Sequence, residues 1–295
     1  MRPALATAFI AVVLSAGCGA DRTSHSSSIA FVRPLKTSVA VFQMDANGCC
    51  VEQLTHPPSQ TVDTSPTWSP DGKNVAFVRG NNREKRMHLY VVDADGDSTH
   101  RVADVPVGTG ASWSPDGNRI LVVARGGLRT VSASGGKQTL LMRATAPGAA
   151  SWSPDGHSIA FVQRKKGVFV FLADADGSNV RRLTKTRFPV LEDFPAWSPD
   201  GKWLAYVDDK FEATVPPTFR PRLRIVRADG TGARTLTTLS PRTGGALSWS
   251  NDGRKVAFST VRRGTVGIYT VSVGGGTPHL LVKGLAGDPA FSPAG

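Results

Sequence analysis

The chain has 295 residues, 40% of them apolar, and carries 35 Lys and Arg against 23 Asp and Glu, a formal net charge of +12. That apolar fraction is ordinary for a globular chain, so a large core can be buried. The three cysteines include no CxxC pair, which excludes a structural zinc site of the usual spacing.

Arg2 and the apolar stretch Ala4 to Leu14 make a targeting segment too short to span a bilayer as a mature helix. Leu14-Ser15-Ala16-Gly17-Cys18 resembles the lipobox of bacterial lipoproteins, in which the cysteine is acylated and becomes the new N-terminus. Residues 1–17 are therefore expected to be a lipoprotein signal peptide, Cys18 the lipidation site, and residues 18–27 a short tether. The alternative is an ordinary secretory signal cleaved nearby. Export follows from either reading. The lipid would hold the chain at the cell membrane, facing the periplasm or the cell exterior.

The first strand is Ile29-Ala30-Phe31-Val32, followed by MDANG (44–48) and the adjacent Cys49 and Cys50. In an exported chain those two thiols either close a vicinal disulfide, which needs unusual backbone geometry, or stay unbridged in a surface hairpin.

From Trp68 onward a repeat governs the sequence. WSPDG stands at 68–72, 113–117, 152–156 and 197–201, WSNDG at 249–253, and FSPAG at 291–295. The leading aromatics are 45, 39, 45, 52 and 42 residues apart. Most copies precede a short apolar run and then a second turn such as VDADG (92–96) or ADADG (173–177), which leads into a short strand such as RRLT (181–184). Each repeat thus has four strands and two tight turns, and a period in the forties indicates a β-propeller. In SPDG the proline presets φ, aspartate suits the third position and glycine supplies the left-handed residue. The tryptophans recur in every repeat, so they are read as packing between repeats and not as ligand stackers.

FSPAG has no apolar run after it, and Ile29 has no WSPDG before it. Aligning Phe291 with Trp152 puts Ile29 in the place of Ile159. The expected fold is an all-β, six-bladed propeller over residues 28–295. Its ring closes through a composite blade: strand one from the C-terminus, strands two to four from the N-terminus. The paired motifs resemble the WD-like repeat of TolB-type six-bladed β-propellers across residues 26–295. Gly19 to Ser27 leave no room for the N-terminal α/β domain of TolB itself, so the resemblance implies the fold and not that protein's partner.

Propeller topology places both tight turns on one face, and the strand two-to-three connections on the other, more variable face. Those connections hold fifteen Lys or Arg against four acids. Arg79, Arg83, Lys85, Arg86, Arg164, Lys165, Lys166, Arg262 and Arg263 are the candidate partner-binding rim, with a solvated basic surface as the plain alternative. Asp63, Glu192, Asp193 and Asp288 lie where strand one begins, as a candidate channel-mouth site for a cationic group or metal ion. The longest connection, residues 208–222, offers Phe211 and Phe219 as a loop anchor for a protein partner.

No GxSxG elbow, HExxH, P-loop or dinucleotide fingerprint occurs, and the six histidines show no ligand spacing. The chain is expected to be a monomeric, non-catalytic scaffold without a cofactor. It would bind a protein or an anionic envelope polymer through the variable face and reach the membrane through lipid on Cys18. Export argues against nucleic acid. The alternative is a propeller enzyme of lyase, hydrolase or lactonase type, acting on an envelope sugar or lactone at the channel mouth.

Overall fold

The computed structural model describes residues 27–81, 86–105, 110–124, 126–145, 148–212, 218–241, 245–284 and 286–293. The expected signal peptide, Cys18, the tether up to Ser26, Arg83 and Lys85 lie outside these residues. Among the described residues the chain is all strand and turn, without a helix, and no helix is long and apolar enough to cross a membrane.

Among the described residues twenty-four strands follow in order. The first three are β1 (Ser28–Pro34), β2 (Val39–Asp45) and β3 (Glu52–Gln53). The next unit is β4 (Thr61–Trp68), β5 (Asn74–Asn81), β6 (Arg86–Asp93) and β7 (Thr99–Val105). Then come β8 (Ala111–Trp113), β9 (Arg119–Ala124), β10 (Gly127–Ser132) and β11 (Thr139–Arg143), and β12 (Ala150–Trp152), β13 (Ser158–Arg164), β14 (Val168–Asp174) and β15 (Arg181–Arg182). The last units are β16 (Val190–Trp197), β17 (Trp203–Glu212), β18 (Thr218–Arg227) and β19 (Arg234–Thr238), and β20 (Ser248–Trp249), β21 (Lys255–Arg262), β22 (Thr265–Ser272) and β23 (His279–Lys283). The last strand is β24 (Gly287–Phe291).

Four antiparallel sheets hold four strands each, from β8 to β23. The remaining eight strands form one sheet in the order β24-β1-β2-β4-β5-β6-β7, with β3 on β2. Among the described residues a single parallel bridge, Val39 to Val62, joins β2 to β4. The C-terminal strand pairs antiparallel with the N-terminal one, Ile29 opposite Phe291 and Ala30 opposite Ala290. The innermost strands touch in sequence, β4 to β8, β12, β16, β20 and β24, and β24 touches β4.

The turn chemistry accounts for the regularity. In each SxDG turn the serine hydroxyl donates to aspartate Oδ1, as Ser69 does to Asp71 at 2.6 Å and Ser198 to Asp200 at 2.6 Å. That oxygen also accepts the N–H two residues on, and the serine Oγ accepts the N–H five residues on, which starts the next strand. Gly72 closes the first turn at φ +68°, a region costly for any residue with a Cβ. These hydrogen bonds hold the carboxyls of Asp71, Asp116, Asp155, Asp200 and Asp252 below the usual aspartate range.

The core lies between units. Trp113 packs with Ile120 and with Val78, Leu89 and Val102 of the preceding unit, and Trp152, Trp249 and Trp68 sit in corresponding clusters. Ile29, Phe31 and Phe42 share a cluster with Ile268 and Val282, which joins the N-terminal strands to β22 and β23. A sheet unit buried on both faces in this way accounts for the near-continuous apolar runs of the second strands.

Candidate functional site

The structure separates the residues that the sequence had grouped as an acidic mouth. Asp63 is fully buried, its carboxylate held by Arg79 through two bonds of 2.6 and 2.8 Å and by the Thr55 hydroxyl at 2.7 Å. Glu192 takes the equivalent place in its own unit, 1% exposed, and accepts from the Thr184 and Thr186 hydroxyls and from Val170 N–H. Burial raises its pKa, and burial likewise raises that of Asp193, which accepts from Phe194 N–H. Neither Asp63 nor Glu192 borders the central cavity, and each ties the threonine that ends one unit to the first strand of the next. Asp288 does border the cavity, and its oxygens accept from Ser65 N–H at 3.1 Å and Ala246 N–H at 3.0 Å. Among the described residues no three His, Cys, Asp or Glu gather as metal ligands.

The cavity runs between the innermost strands and holds about 610 Å³. Trp68, Trp113, Trp152, Trp197, Trp249 and Phe291 line it, with prolines of the SxDG turns at one end and Asp288 at the other. Ser65, Phe194 and Asp288, each three residues before the aromatic, have positive φ, and the ladders of β4 with β5 and of β16 with β17 shift register there. Such bulges re-aim backbone groups and cluster beside functional sites.

On the face of the strand two-to-three connections, charge is sorted by burial. Lys36, Arg164, Lys165, Lys166 and Arg263 are exposed at hairpin tips, and Arg262 is half-buried. Asp63, Glu192 and Asp208 are buried inside the units, and Asp209 is half-buried. Arg79 does not belong to the exposed rim: Asp63 neutralises it, and it packs over the Phe77 and Tyr90 rings. Arg222 and Arg224 are similarly drawn in by Asp208. Arg33 packs over Phe31 and Phe42, and burial lowers its pKa. Arg86 begins β6 opposite Asn81.

The expected 208–222 loop is instead largely a hairpin arm. β17 continues to Glu212 and β18 starts at Thr218, with Asp208 opposite Arg222 and Phe211 opposite Phe219. The Asp208–Arg222 ion pair extends the ladder beyond the length of the other units. Phe219 is 37% exposed, and Phe188 on the lead-in to β16 is 66% exposed, more than any other large apolar residue described. Sequence reasoning missed Phe188, although an aromatic before proline in a polar stretch, TRFPV, was the available signal. Cys49 keeps a free, exposed thiol, so the vicinal Cys49–Cys50 bridge is not formed, and Cys50 stands at φ +53°.

Comparison with known proteins agrees with this geometry. Residues 17–171 and 168–295 match the family described as TolB beta propeller domain. The chain is 28% identical over 150 residues to the uncharacterized peptidase YuxL of Bacillus subtilis, which covers 48% of this chain and 21% of that protein. It is 33% identical over 92 residues to the Tol-Pal system protein TolB of Alcanivorax borkumensis, covering 31% of this chain and 19% of that one. The chain therefore spans about a fifth of these curated relatives. Among solved structures, TolB from Acinetobacter baumannii superposes with a TM-score of 0.72 at 21% identity, over 90% of this chain and 67% of that one. An oligogalacturonate lyase in complex with manganese gives 0.59 at 18% identity, over 87% and 74%. At these identities the structural likeness establishes the fold alone.

Proposed function

The chain belongs to the TolB β-propeller domain family, and on that premise we propose that it is an exported, lipid-anchored scaffold that binds an anionic partner without catalysing a reaction. Its propeller is read as six-bladed and closed by the composite blade β24-β1-β2-β3. The pairing of Ile29 with Phe291 and the contact of β24 with β4 support that reading. Residues 1–17 serve as the lipoprotein signal, 18–27 as tether and 28–295 as propeller, with Cys18 carrying the lipid. The TolB relatives favour a protein-binding role, and an acidic protein surface or an anionic envelope polymer meets the charge requirement.

The observation that carries the proposal is the sorting of charge on one face. Cations at Lys36, Arg164, Lys165, Lys166 and Arg263 point outward, while Asp63, Glu192 and Asp208 are buried and Asp209 is half-buried. Such a one-signed field steers an oppositely charged partner to the surface. Phe188 and Phe219 stand beside it as apolar anchors, the residue type that dominates binding energy when it becomes desolvated. Ser27 accepts from the Asn251 side chain of the fifth tight turn, so the tether leaves from the opposite face. The basic face then points away from the anchoring membrane.

Two variants test this. Cys18→Ser moves the protein from the membrane fraction to the soluble one if lipid is the anchor. Phe188→Ser leaves stability within about 0.5 kcal/mol of wild type, because the ring is exposed, yet reduces capture of envelope material. Retention of Cys18→Ser in membranes, or full capture by Phe188→Ser, contradicts the proposal. The lyase-type alternative draws on the shared fold with an enzyme; turnover of an acidic oligosaccharide by the purified chain would establish it.

A further inference from the structure

We infer that the central cavity binds a primary ammonium group on an aliphatic stem, with the Asp288 carboxylate as its anchor. The inference stands on the cavity alone and does not depend on the reading of the outer face. Among the described residues lining the cavity, Asp288 is the only charged one; the rest are aromatic, proline, alanine, leucine, glycine, hydroxyl and amide side chains. Both Asp288 oxygens accept one backbone N–H, from Ser65 and from Ala246. Neutral donors fix the carboxylate but leave its charge uncompensated, and about half of its roughly four acceptor positions stay open. No cation pairs with it among the described residues. A buried or half-buried charge without a counter-ion is costly, and an arriving cation offsets that cost more effectively between apolar walls than in water.

Local geometry keeps the carboxylate approachable. Asp288 is held at φ +47°, a conformation that residues with side chains adopt rarely and that concentrates at ligand sites. Gly245 stands next to it, and a Cβ there would fall 2.3 Å from Oδ1, so a larger residue would displace the acceptor.

The surroundings select the kind of cation. Divalent metal ions of the hard type take six or more oxygen ligands, and one carboxylate, the only acid among the described residues lining the cavity, does not supply them. An ammonium needs only a few acceptors. Its stem can lie along the indoles, whose N–H groups at Trp68, Trp113, Trp197 and Trp249 already donate to backbone carbonyls and leave the ring surfaces as the contact. Aromatic faces attract cations as well as alkyl groups. About 610 Å³ is within the usual range for a small-ligand pocket.

The probe is hexylamine hydrochloride, titrated into the full chain while tryptophan emission is followed, since five indoles line the cavity. Saturable binding is expected, at least tenfold tighter than for neutral hexan-1-ol, with Asp288→Asn losing at least tenfold. Ala149→Leu, which narrows the cavity and keeps Asp288, should lose binding to the same extent. It serves as the second variant if Asp288→Asn fails to fold. Arg164→Ala with Lys165→Ala and Lys166→Ala should leave hexylamine affinity undiminished, so failure of the outer-face proposal and of this one are distinguishable. A parallel arm uses Nα-acetyl-lysine methylamide: tighter binding than hexylamine points to a partner's lysine side chain, weaker binding to a free amine. Absence of a saturable response, equal affinity for hexanol, or unchanged affinity in Asp288→Asn or Ala149→Leu overturns the inference.

Discussion

The indole N–H of Trp68 donates to the carbonyl of Ala290 at 3.1 Å, across 222 positions of sequence. The acceptor is the residue just before Phe291, and the same relation recurs from Trp113 to Thr67, Trp197 to Ser151 and Trp249 to Ala196. Four of the six repeating aromatics therefore join their unit to the preceding one by a hydrogen bond as well as by packing. Phe291 has no ring N–H to give, and its backbone N–H donates to the Ser248 hydroxyl at 2.9 Å. Trp152 is the exception: its buried Nε1 has no partner among the described residues.

That exception makes a controlled pair. Trp68→Phe should cost about 1–3 kcal/mol in urea unfolding, because it leaves the Ala290 carbonyl without its donor. Trp152→Phe removes an unpaired buried donor at a similar packing cost, so it should be less destabilising by about 1 kcal/mol. Equal losses would show that the indole hydrogen bonds contribute nothing across the units.

Arg79 and Asp63 supply a second expectation. Arg79→Ala leaves a fully buried carboxylate without its counter-ion and should destabilise by about 3–5 kcal/mol. Combining it with Asp63→Ala should recover much of the loss, since neither charge then remains to be compensated. If Arg79→Ala unfolds like wild type but weakens partner capture, Arg79 belongs to the binding surface and not to the unit.

The carboxylates divide into two classes with opposite pH dependence. The turn aspartates, such as Asp71 and Asp200, have lowered pKa in the fold, so their contribution is present above the unfolded value of about 3.9 and is lost as pH falls below it. Glu192 has a raised pKa, so its contribution is complete below the unfolded value of about 4.3 and is lost as pH rises through the folded one. Relative to Glu192→Gln, wild type should therefore lose stability as pH rises from about 4. Ser198→Ala should make the acid-side loss shallower. Chemical unfolding of the three proteins at several pH values checks both signs.

Much of the architecture was legible because its determinants are local. Pro, Asp and Gly fix the turns where they stand, and the aromatic spacing fixes the repeat. The fate of individual charges was not legible. Asp63 looked like a mouth residue, but its environment depends on Thr55 across a unit boundary and on Arg79 in the opposite strand. The arm formed by β17 and β18 read as a loop because its prolines and charges mask a ladder held by Asp208 and Arg222. The exposure of Phe188 follows from how β16 begins, which no local pattern encodes.

The most direct test of the scaffold account is the salt dependence of capture of cell-envelope material by the purified chain, compared with the variant in which Arg164, Lys165 and Lys166 are all alanine. Exposed cations contribute through screened attraction, so wild-type capture should weaken as ionic strength rises, and the variant should bind less at low salt with a shallower dependence. Identical capture and identical salt dependence in the two proteins would contradict an outward basic face as the binding surface.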